Sequence, residues 1–293
     1  MLSHGLLGNE KVGRDQRSDR ALNFRRQWAD RIILSIRPCS VRSGQQFSAG
    51  HHRMSGSVVH LVVPAYNEAR RLPNYLPQLS ATLAKTPHSW RITVVDDGSR
   101  ESDSTQMLEC VQRAGPHVAF HRLPVNQGKG AAIYSGWNLD FESEWLALLD
   151  ADGSIPPYEV ARVLGILSPD GPDAFFCSRC KILGRTVQRS WLRHVGGRIF
   201  ATCVSTVTGI PVYDSQCGFK VVRRHYYEAI KSRLHEKRFA FDVELLVGLT
   251  EAGATVIEYP IDWFDVPGSK VHLIRDTVQM LATIVRLRVQ GCR

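Results

Sequence analysis

The stretch WLALLDADGS (145–154) joins an apolar segment to two acidic side chains. Residues 145–149 predict a buried strand, and Asp150 and Asp152 follow at its tip with one alanine between them. Two neighbouring carboxylates repel each other, and burying them is costly unless a cation or hydrogen-bond donors compensate. Their oxygens are the hard ligands that Mg²⁺ or Mn²⁺ takes. A D-x-D pair also occurs on solvated turns, so the pair alone does not decide between these interpretations.

Short β-branched runs alternate with helical stretches from residue 57 onward. This alternation predicts an α/β fold with a mostly parallel sheet flanked by helices. The predicted strands are 57–63, 91–95, 118–123, 145–149, 174–178, 219–224 and 254–260. The predicted helices are 68–85, 129–139, 157–167, 189–209, 225–234, 241–252 and 272–288, and the last of these is amphipathic.

Polar residues follow four of the predicted strands, at the points where these strands end. The segments are PAYNE (64–68), DDGS (96–99), NQGKG (126–130) and DADGS (150–154). In open α/β sheets, ligands bind beyond the carboxyl ends of the strands. We therefore expect the four segments to face one crevice, and their convergence is stronger evidence for a site than any one of them.

The positive charge is concentrated at the start of the chain. Residues 1–53 carry +6 of the net +9, so the remainder is only mildly basic and a nucleic-acid partner is not predicted. These residues lack strand periodicity, which favours a disordered or artefactual extension. A transit peptide is the alternative, because 22–36 can form an amphipathic helix. Residues 54–293 are then predicted to form one domain.

The order PAYNE, VVDDGS, NQGKGAA and LDADGS resembles the family 2 glycosyltransferases, which have the Rossmann-like GT-A fold. The resemblance extends from about residue 57 to the C-terminus. The later motifs DSQCGFK (214–220), FAFDVELL (239–246) and WFDVPGSKV (263–271) are most similar to the dolichyl-phosphate β-glucosyltransferases and the bacterial polyprenyl-phosphate glycosyltransferases. Dolichyl-phosphate mannose synthases share the first half but match these later motifs less well. The resemblance implies a single catalytic GT-A domain at 54–293, with a nucleotide-binding half at about 57–155, an acceptor half at about 156–270 and a C-terminal amphipathic helix at about 271–288.

The resemblance also assigns the donor side. The residues implied to bind the nucleotide-sugar are Pro64, Tyr66, Glu68, Asp96, Asp97, Lys129 and Asp150. The implied metal ligands are Asp150 and Asp152, with Mg²⁺ or Mn²⁺ as the cofactor. Two alternatives stay open: DDGS as an ordinary Asp-Gly turn, and Lys129 as a solvated lysine at a helix start. Mannose synthases often carry a metal-binding Gln where this chain has Ser154, which leaves the identity of the metal open.

On the acceptor side, Asp242 matches the position of a catalytic acid in the family. Arg179 and Lys270 are expected to stabilise the leaving diphosphate, since a planar guanidinium suits phosphate oxygens. The other residues expected on this side are Gln216, Lys220, Glu244 and Ser269. The alternatives are a surface ion pair for Arg179 and a helix-dipole effect for the acids in FDVE. Arg198 is a weaker candidate.

The predicted reaction is the inverting, metal-dependent transfer of a hexose, glucose from UDP-glucose, to a polyprenyl or dolichyl phosphate. The alternatives within the class are a GDP-mannose donor and a non-lipid acceptor. A nucleotidyltransferase and a non-catalytic nucleotide-sugar-binding protein are the remote alternatives. The expected partners are thus a nucleotide-diphosphate sugar and a polyprenyl phosphate.

Two further features of the sequence concern its location. The seven cysteines show no framework spacing, which favours a reduced, cytoplasmic setting. No apolar run reaches the roughly 18–20 residues that span a bilayer, so we predict no transmembrane helix. The C-terminal stripe 272–288 either binds the membrane surface peripherally or packs on the protein's own sheet.

Overall fold

The computed structural model describes residues 58–140 and 142–266. The strands are β1 Val59–Ala65, β2 Trp90–Asp96, β3 Val118–Arg122, β4 Trp145–Leu149, β5 Ala174–Ser178, β6 Val187–Gln188, β7 Phe219–Arg223, β8 Val256–Pro260 and β9 Trp263–Phe264. The helices are α1 Leu72–Leu83, α2 Glu101–Ala114, α3 Lys129–Trp137, α4 Pro157–Leu164, α5 Trp191–Thr208, α6 Arg224–Ile230 and α7 Phe241–Glu251, with a 3₁₀ turn at Lys231–Arg233.

Seven strands form one sheet in the order β3-β2-β1-β4-β7-β5-β8, and β6 pairs with β9 in a separate two-stranded ribbon. All neighbours in the large sheet are parallel except β7, which runs antiparallel to both β4 and β5. Because β7 is reversed, its first residue, Phe219, pairs with Leu149, the last residue of β4. The start of β7 therefore lies at the edge where the parallel strands end.

The sheet is buried on both faces, as expected for strands that read as continuous apolar runs. All five residues of β4 and all five of β5 are buried. One face packs a cluster that includes Leu61, Ile92 and Phe175, and the other packs a cluster that includes Val62 and Trp137. This rigid core fixes where each strand ends, and hence where the side chains that follow it lie.

The predicted α/β class and mostly parallel sheet are confirmed. Three features were not predicted: the reversed direction of β7, the ribbon of β6 and β9, and helix α2. The buried face of α2 has few apolar side chains, with Met107, Cys110 and Val111 beside Ser104, so its apolar periodicity is weak. Among the described helices, none is both long and apolar enough to cross a membrane. The predictions for 1–53 and 271–288 lie outside the described residues.

Candidate active site

The ends of three neighbouring strands meet at one edge of the sheet. The backbone of Asp97 donates to Ala65 O at 2.8 Å, which joins the tip of β2 to the tip of β1. The backbone of Asp150 donates to Gly218 O at 2.8 Å, which joins the tip of β4 to the start of β7. PAYNE, DDGS and DADGS therefore lie at the same edge of the sheet as the DSQCGFK turn. The fourth polar segment, NQGKG, is held there by hydrogen bonds to the side chain of Asp97.

Asp96 and Asp97, the acids of DDGS, are both buried but differ in their partners. Asp97 accepts the backbone N–H groups of Gln127 at 2.7 Å and Gly128 at 2.8 Å, so it organises the NQGKG loop. Burial raises the pKa of Asp97, and these two hydrogen bonds oppose the shift. Asp96 is fully buried and accepts the backbone N–H of Ser99 through Oδ1. Within the described residues its Oδ2 accepts no hydrogen bond, but it lies 3.5 Å from Nε of Arg122, which pairs with it.

The PAYNE segment is tied to DDGS by Asn67, which the sequence analysis did not single out. Asn67 has a positive φ of 51°, a conformation that is uncommon outside glycine. Its backbone N–H donates to Ser99 Oγ at 2.8 Å, and its side-chain oxygen accepts the backbone N–H of Arg100 at 3.0 Å. An Asn within a strand-tip segment is the signal that could have indicated this role, because Asn tolerates the left-handed region.

The other predicted residues of PAYNE lie at the same tip. Pro64 is half-buried near the end of β1, and Tyr66 is exposed. Glu68 is buried and accepts two hydrogen bonds from the guanidinium of Arg71. The charge of Arg71 also interacts with those of Asp150 and Asp152. Arg71 was not predicted, and it adds positive charge beside the two acids.

The D-x-D acids are supported from three sides. Lys129, the first residue of α3, places its ammonium 2.6 Å from Asp150 Oδ1. Asp152 accepts the backbone N–H of Ser154 at 2.9 Å, which fixes the turn after β4. An ideal Cβ built at Gly218 would lie 2.1 Å from Asp150 Oδ2, so only glycine leaves room for this carboxylate.

The chemistry of this pair fits a divalent cation. Burial raises the pKa of Asp152, and the negative charge of Asp150 adds to the shift, so a cation beside both would relieve an unfavourable arrangement. Both side chains offer hard oxygen ligands. Within residues 58–140 and 142–266, no cluster of three or more His, Cys, Asp or Glu side chains is arranged for a metal. The remaining ligands would then come from the nucleotide diphosphate and water.

Asp242 lies in the first turn of α7 and forms a buried ion pair. Its Oδ1 is 2.6 Å from Nζ of Lys220, which is fully buried on β7 and also donates to Cys217 O at 2.7 Å. Burial raises the pKa of Asp242, while the charges of Lys220 and Lys129 oppose the shift. Lys129 interacts electrostatically with both Asp150 and Asp242.

Arg179 follows β5 and is held by Asp214. The guanidinium donates through Nε at 2.6 Å and through Nη2 at 2.7 Å, and the backbone N–H of Arg179 donates to the same carboxylate at 3.0 Å. Burial would raise the pKa of Asp214, but the charge of Arg179 and the hydrogen bonds that Arg179 donates together outweigh it and hold that pKa well below its usual range. Glu258 in turn accepts the backbone N–H groups of Tyr213 and Asp214. Asp214, the first residue of DSQCGFK, was quoted in the motif but not predicted as a site residue.

The remaining predicted residues occupy supporting positions. Glu244 accepts the backbone N–H groups of His235 and Glu236, so it holds the loop before α7. Gln216 donates to Phe239 O at 3.3 Å. The guanidinium of Arg198 donates to the backbone carbonyl oxygen of Tyr213. Ser269 and Lys270 lie outside the described residues.

The fold and the charged edge of the sheet together define an enzyme of the GT-A type. The chain belongs to glycosyltransferase family 2, because the family model "Glycosyl transferase family 2" matches residues 60–231. It is therefore a glycosyltransferase. Among curated relatives, the human dolichyl-phosphate beta-glucosyltransferase is 32% identical over 244 residues, covering 78% of this chain and 74% of that protein. The enzyme of the same name from Dictyostelium discoideum is 30% identical over 239 residues, covering 78% and 73%. The resemblance predicted from sequence is thus confirmed.

Solved structures agree with the fold. Glucosyl-3-phosphoglycerate synthase from Mycobacterium tuberculosis, crystallised with Mn²⁺, UDP-glucose and phosphoglyceric acid, superposes with a TM-score of 0.59 at 14% identity, covering 80% of each chain. Mannosyl-3-phosphoglycerate synthase from Rubrobacter xylanophilus superposes with a TM-score of 0.53 at 15% identity, covering 81% of this chain and 74% of that one. At these identities the likeness confirms the GT-A architecture alone.

Proposed function

We propose that this glycosyltransferase moves glucose from UDP-glucose to the phosphate of a dolichyl or polyprenyl phosphate, with inversion at the anomeric carbon. The observation that carries the proposal is the position of Lys129, which interacts with the D-x-D acid Asp150 and with the buried acid Asp242. One cation thus adjoins both a place for a donor diphosphate and a place for an acceptor. The name shared by the relatives, dolichyl-phosphate beta-glucosyltransferase, supports this acceptor and this sugar.

The donor side follows from the strand tips. Asp96, whose Oδ2 lies 3.5 Å from Nε of Arg122, would accept a hydrogen bond from the nucleoside. Asp150 and Asp152 would hold Mg²⁺ or Mn²⁺, which when bound supplies positive charge to the diphosphate. A solved neighbour was crystallised with Mn²⁺ and UDP-glucose, which supports that choice of cofactor and donor. Pro64 and Tyr66 would line the same pocket.

The acceptor side needs little proton chemistry. A phosphate monoester is already anionic near neutral pH, so its oxygen can attack without a strong general base. Asp242 is fixed by Lys220 at 2.6 Å, which suits a positioning role better than proton removal. We therefore expect Asp242→Asn to slow transfer without moving the pH optimum upward.

The leaving diphosphate gains negative charge as the glycosidic bond breaks. Arg179 is suited to meet that charge, because Asp214 fixes its guanidinium while one terminal nitrogen, Nη1, is not used by that pair. Preorganised donors of this kind lower a barrier without reorganising during the reaction. Lys270, which belongs to PGSK, is proposed to add a second positive charge.

The test is a transfer assay with the purified full chain in detergent. Labelled UDP-glucose or GDP-mannose is incubated with dolichyl phosphate, with the free dolichol, or with a simple hexose, and lipid-linked sugar is extracted into organic solvent. We expect label in the organic phase only for UDP-glucose with dolichyl phosphate. Equal transfer to the alcohol or preference for the hexose would refute the lipid-phosphate acceptor, and preference for GDP-mannose would refute the donor.

The location of the reaction is part of the proposal. A polyprenyl phosphate is anchored in a bilayer, so the enzyme would act at a cytoplasmic membrane surface through peripheral contact. The amphipathic stretch 272–288 is proposed for that contact on its sequence pattern, with three arginines outside its apolar stripe. Vesicle flotation of the full chain, compared with a chain ending at residue 271, tests this point: loss of flotation in the shorter chain supports it, and equal flotation contradicts it.

A further inference from the structure

Lys129 and Asp150 form a close pair where the proposed function places a cation. The ammonium is 2.6 Å from Asp150 Oδ1, and the lysine side chain is only 17% exposed. Burial lowers the pKa of Lys129, but the charges of Asp150 and Asp242 outweigh it and raise that pKa, so the side chain stays charged at neutral pH. A positive charge therefore already compensates one of the two D-x-D carboxylates.

The backbone around Lys129 is held in place, whereas its long side chain can move. Gly128, just before α3, has a φ of 108°, and an ideal Cβ there would lie 2.4 Å from the carbonyl oxygen of Lys237. Ala131 donates to the same carbonyl at 3.1 Å. The start of α3 is thus held against the loop before α7. The four-carbon stem of lysine leaves its ammonium free to exchange one partner for another.

The positive charge of Lys129 interacts unfavourably with the dipole of helix α3. Lys129 is the first residue of α3, where the positive end of the helix dipole disfavours a cation and favours an anion. A bound diphosphate at the same place would meet both the lysine and the helix terminus favourably. In the same position, Nζ of Lys129 lies 5.7 Å from the centre of the Phe241 ring, and its charge interacts with that of Asp242.

We propose that Lys129 competes with the divalent cation for Asp150 and leaves that carboxylate only when a nucleotide diphosphate arrives. The lysine then pairs with the diphosphate and Asp242, and the cation takes both D-x-D carboxylates. The free enzyme consequently binds the metal weakly, and metal and nucleotide bind together. This inference rests on the metal site of the proposed function. It adds that the metal binds tightly only together with the nucleotide.

The experiment measures binding of Mn²⁺ alone, from loss of the electron paramagnetic resonance signal of the free ion, with and without UDP. We expect Lys129→Met to bind Mn²⁺ without UDP roughly tenfold more tightly than the wild type, the scale of one partly buried ion-pair contact. Because Lys129 has left Asp150 when UDP is bound, the factor by which UDP strengthens Mn²⁺ binding should shrink by about the same amount in this variant. Linkage is reciprocal, so the factor by which Mn²⁺ strengthens UDP binding should shrink equally. Lys129→Gln is measured in parallel, and thermal melting confirms that each variant folds.

Lys237→Met is the matched control, since it removes the same charge from an exposed residue of the neighbouring loop. Equal tightening in this control would overturn the inference, because net charge and not the contact with Asp150 would then set the affinity. Unchanged or weaker Mn²⁺ binding in both Lys129 variants, with normal Mn²⁺ binding to the wild type in UDP, would overturn the inference alone. Absence of Mn²⁺ binding in every protein, even with UDP, would overturn the metal site of the proposed function and this inference with it.

Discussion

Replacing Lys220 by methionine should destabilise the protein far more than removing a lysine from its surface. The change leaves the Asp242 carboxylate, which is 2% exposed, without its partner at 2.6 Å. Removing one member of a buried ion pair costs about 3–5 kcal/mol, because the other charge stays buried and uncompensated. Lys129 also interacts with Asp242, so we expect the lower end, about 3 kcal/mol.

Urea unfolding measures this effect, and for a slope near 2 kcal/mol per molar the midpoint should fall by about 1.5 M. The double variant Lys220→Met/Asp242→Asn should regain roughly 2 kcal/mol relative to the sum of the single changes, since no buried charge is left alone. Lys231→Met is the control: Lys231 pairs with Glu228 at the surface, and such pairs contribute about 0–1 kcal/mol. A loss below about 1 kcal/mol for Lys220→Met, or strict additivity in the double variant, would refute the reasoning.

Three further outcomes are expected. Asp152→Asn should abolish transfer while the far-ultraviolet circular dichroism and melting temperature stay unchanged, and wild-type turnover with added metal would contradict the metal-site assignment. Burial lowers the pKa of His60 from 6.5 to about 4, so the unfolded chain takes up this proton before the folded protein does as the pH falls. The free energy of unfolding should therefore be highest above about pH 6.5 and fall by roughly 2–3 kcal/mol towards pH 4. His60→Gln should lose that part of the pH dependence in urea titrations, and an identical pH profile would show that His60 is not its source. Gly218→Ala should displace Asp150 and lower kcat at least roughly tenfold. Gly196→Ala is the control and should leave kcat unchanged, because a Cβ at this position in α5 meets open space. Similar kcat values for the two variants would argue against the close approach at Gly218.

The strand tips could be predicted from sequence because they follow from local patterns. The apolar run 145–149 predicts a buried strand, and the Asp-Gly sequences after the strands predict turns at one edge of a parallel sheet. The partners of the acids could not be predicted in this way. Asp97 accepts N–H groups some thirty residues further along the chain, and no periodicity links it to that loop.

The same limit applies on the acceptor side. Arg179 was predicted to meet phosphate, but its pairing with Asp214 depends on two segments that are brought together only by the reversal of β7. Strand direction is decided by long-range packing, and a five-residue apolar run has the same pattern in either direction. Glu244 illustrates a different limit: an acid in a first helical turn suggests several roles, and its hydrogen bonds to the backbone of His235 and Glu236 become visible only in three dimensions.

The reversed strand β7 also bears on how such an enzyme can diversify. The chain leaves the sheet at Ser178 and returns at Phe219, and pairing of Phe176 with Lys220 places both points at the same edge. Residues 179–218 therefore form an excursion whose two ends are held side by side by the sheet. Between Arg179 and Asp214, its length and sequence can change without shifting the register of any strand of the seven-stranded sheet. Related enzymes can therefore differ in this segment while the seven-stranded sheet and its strand tips stay unchanged.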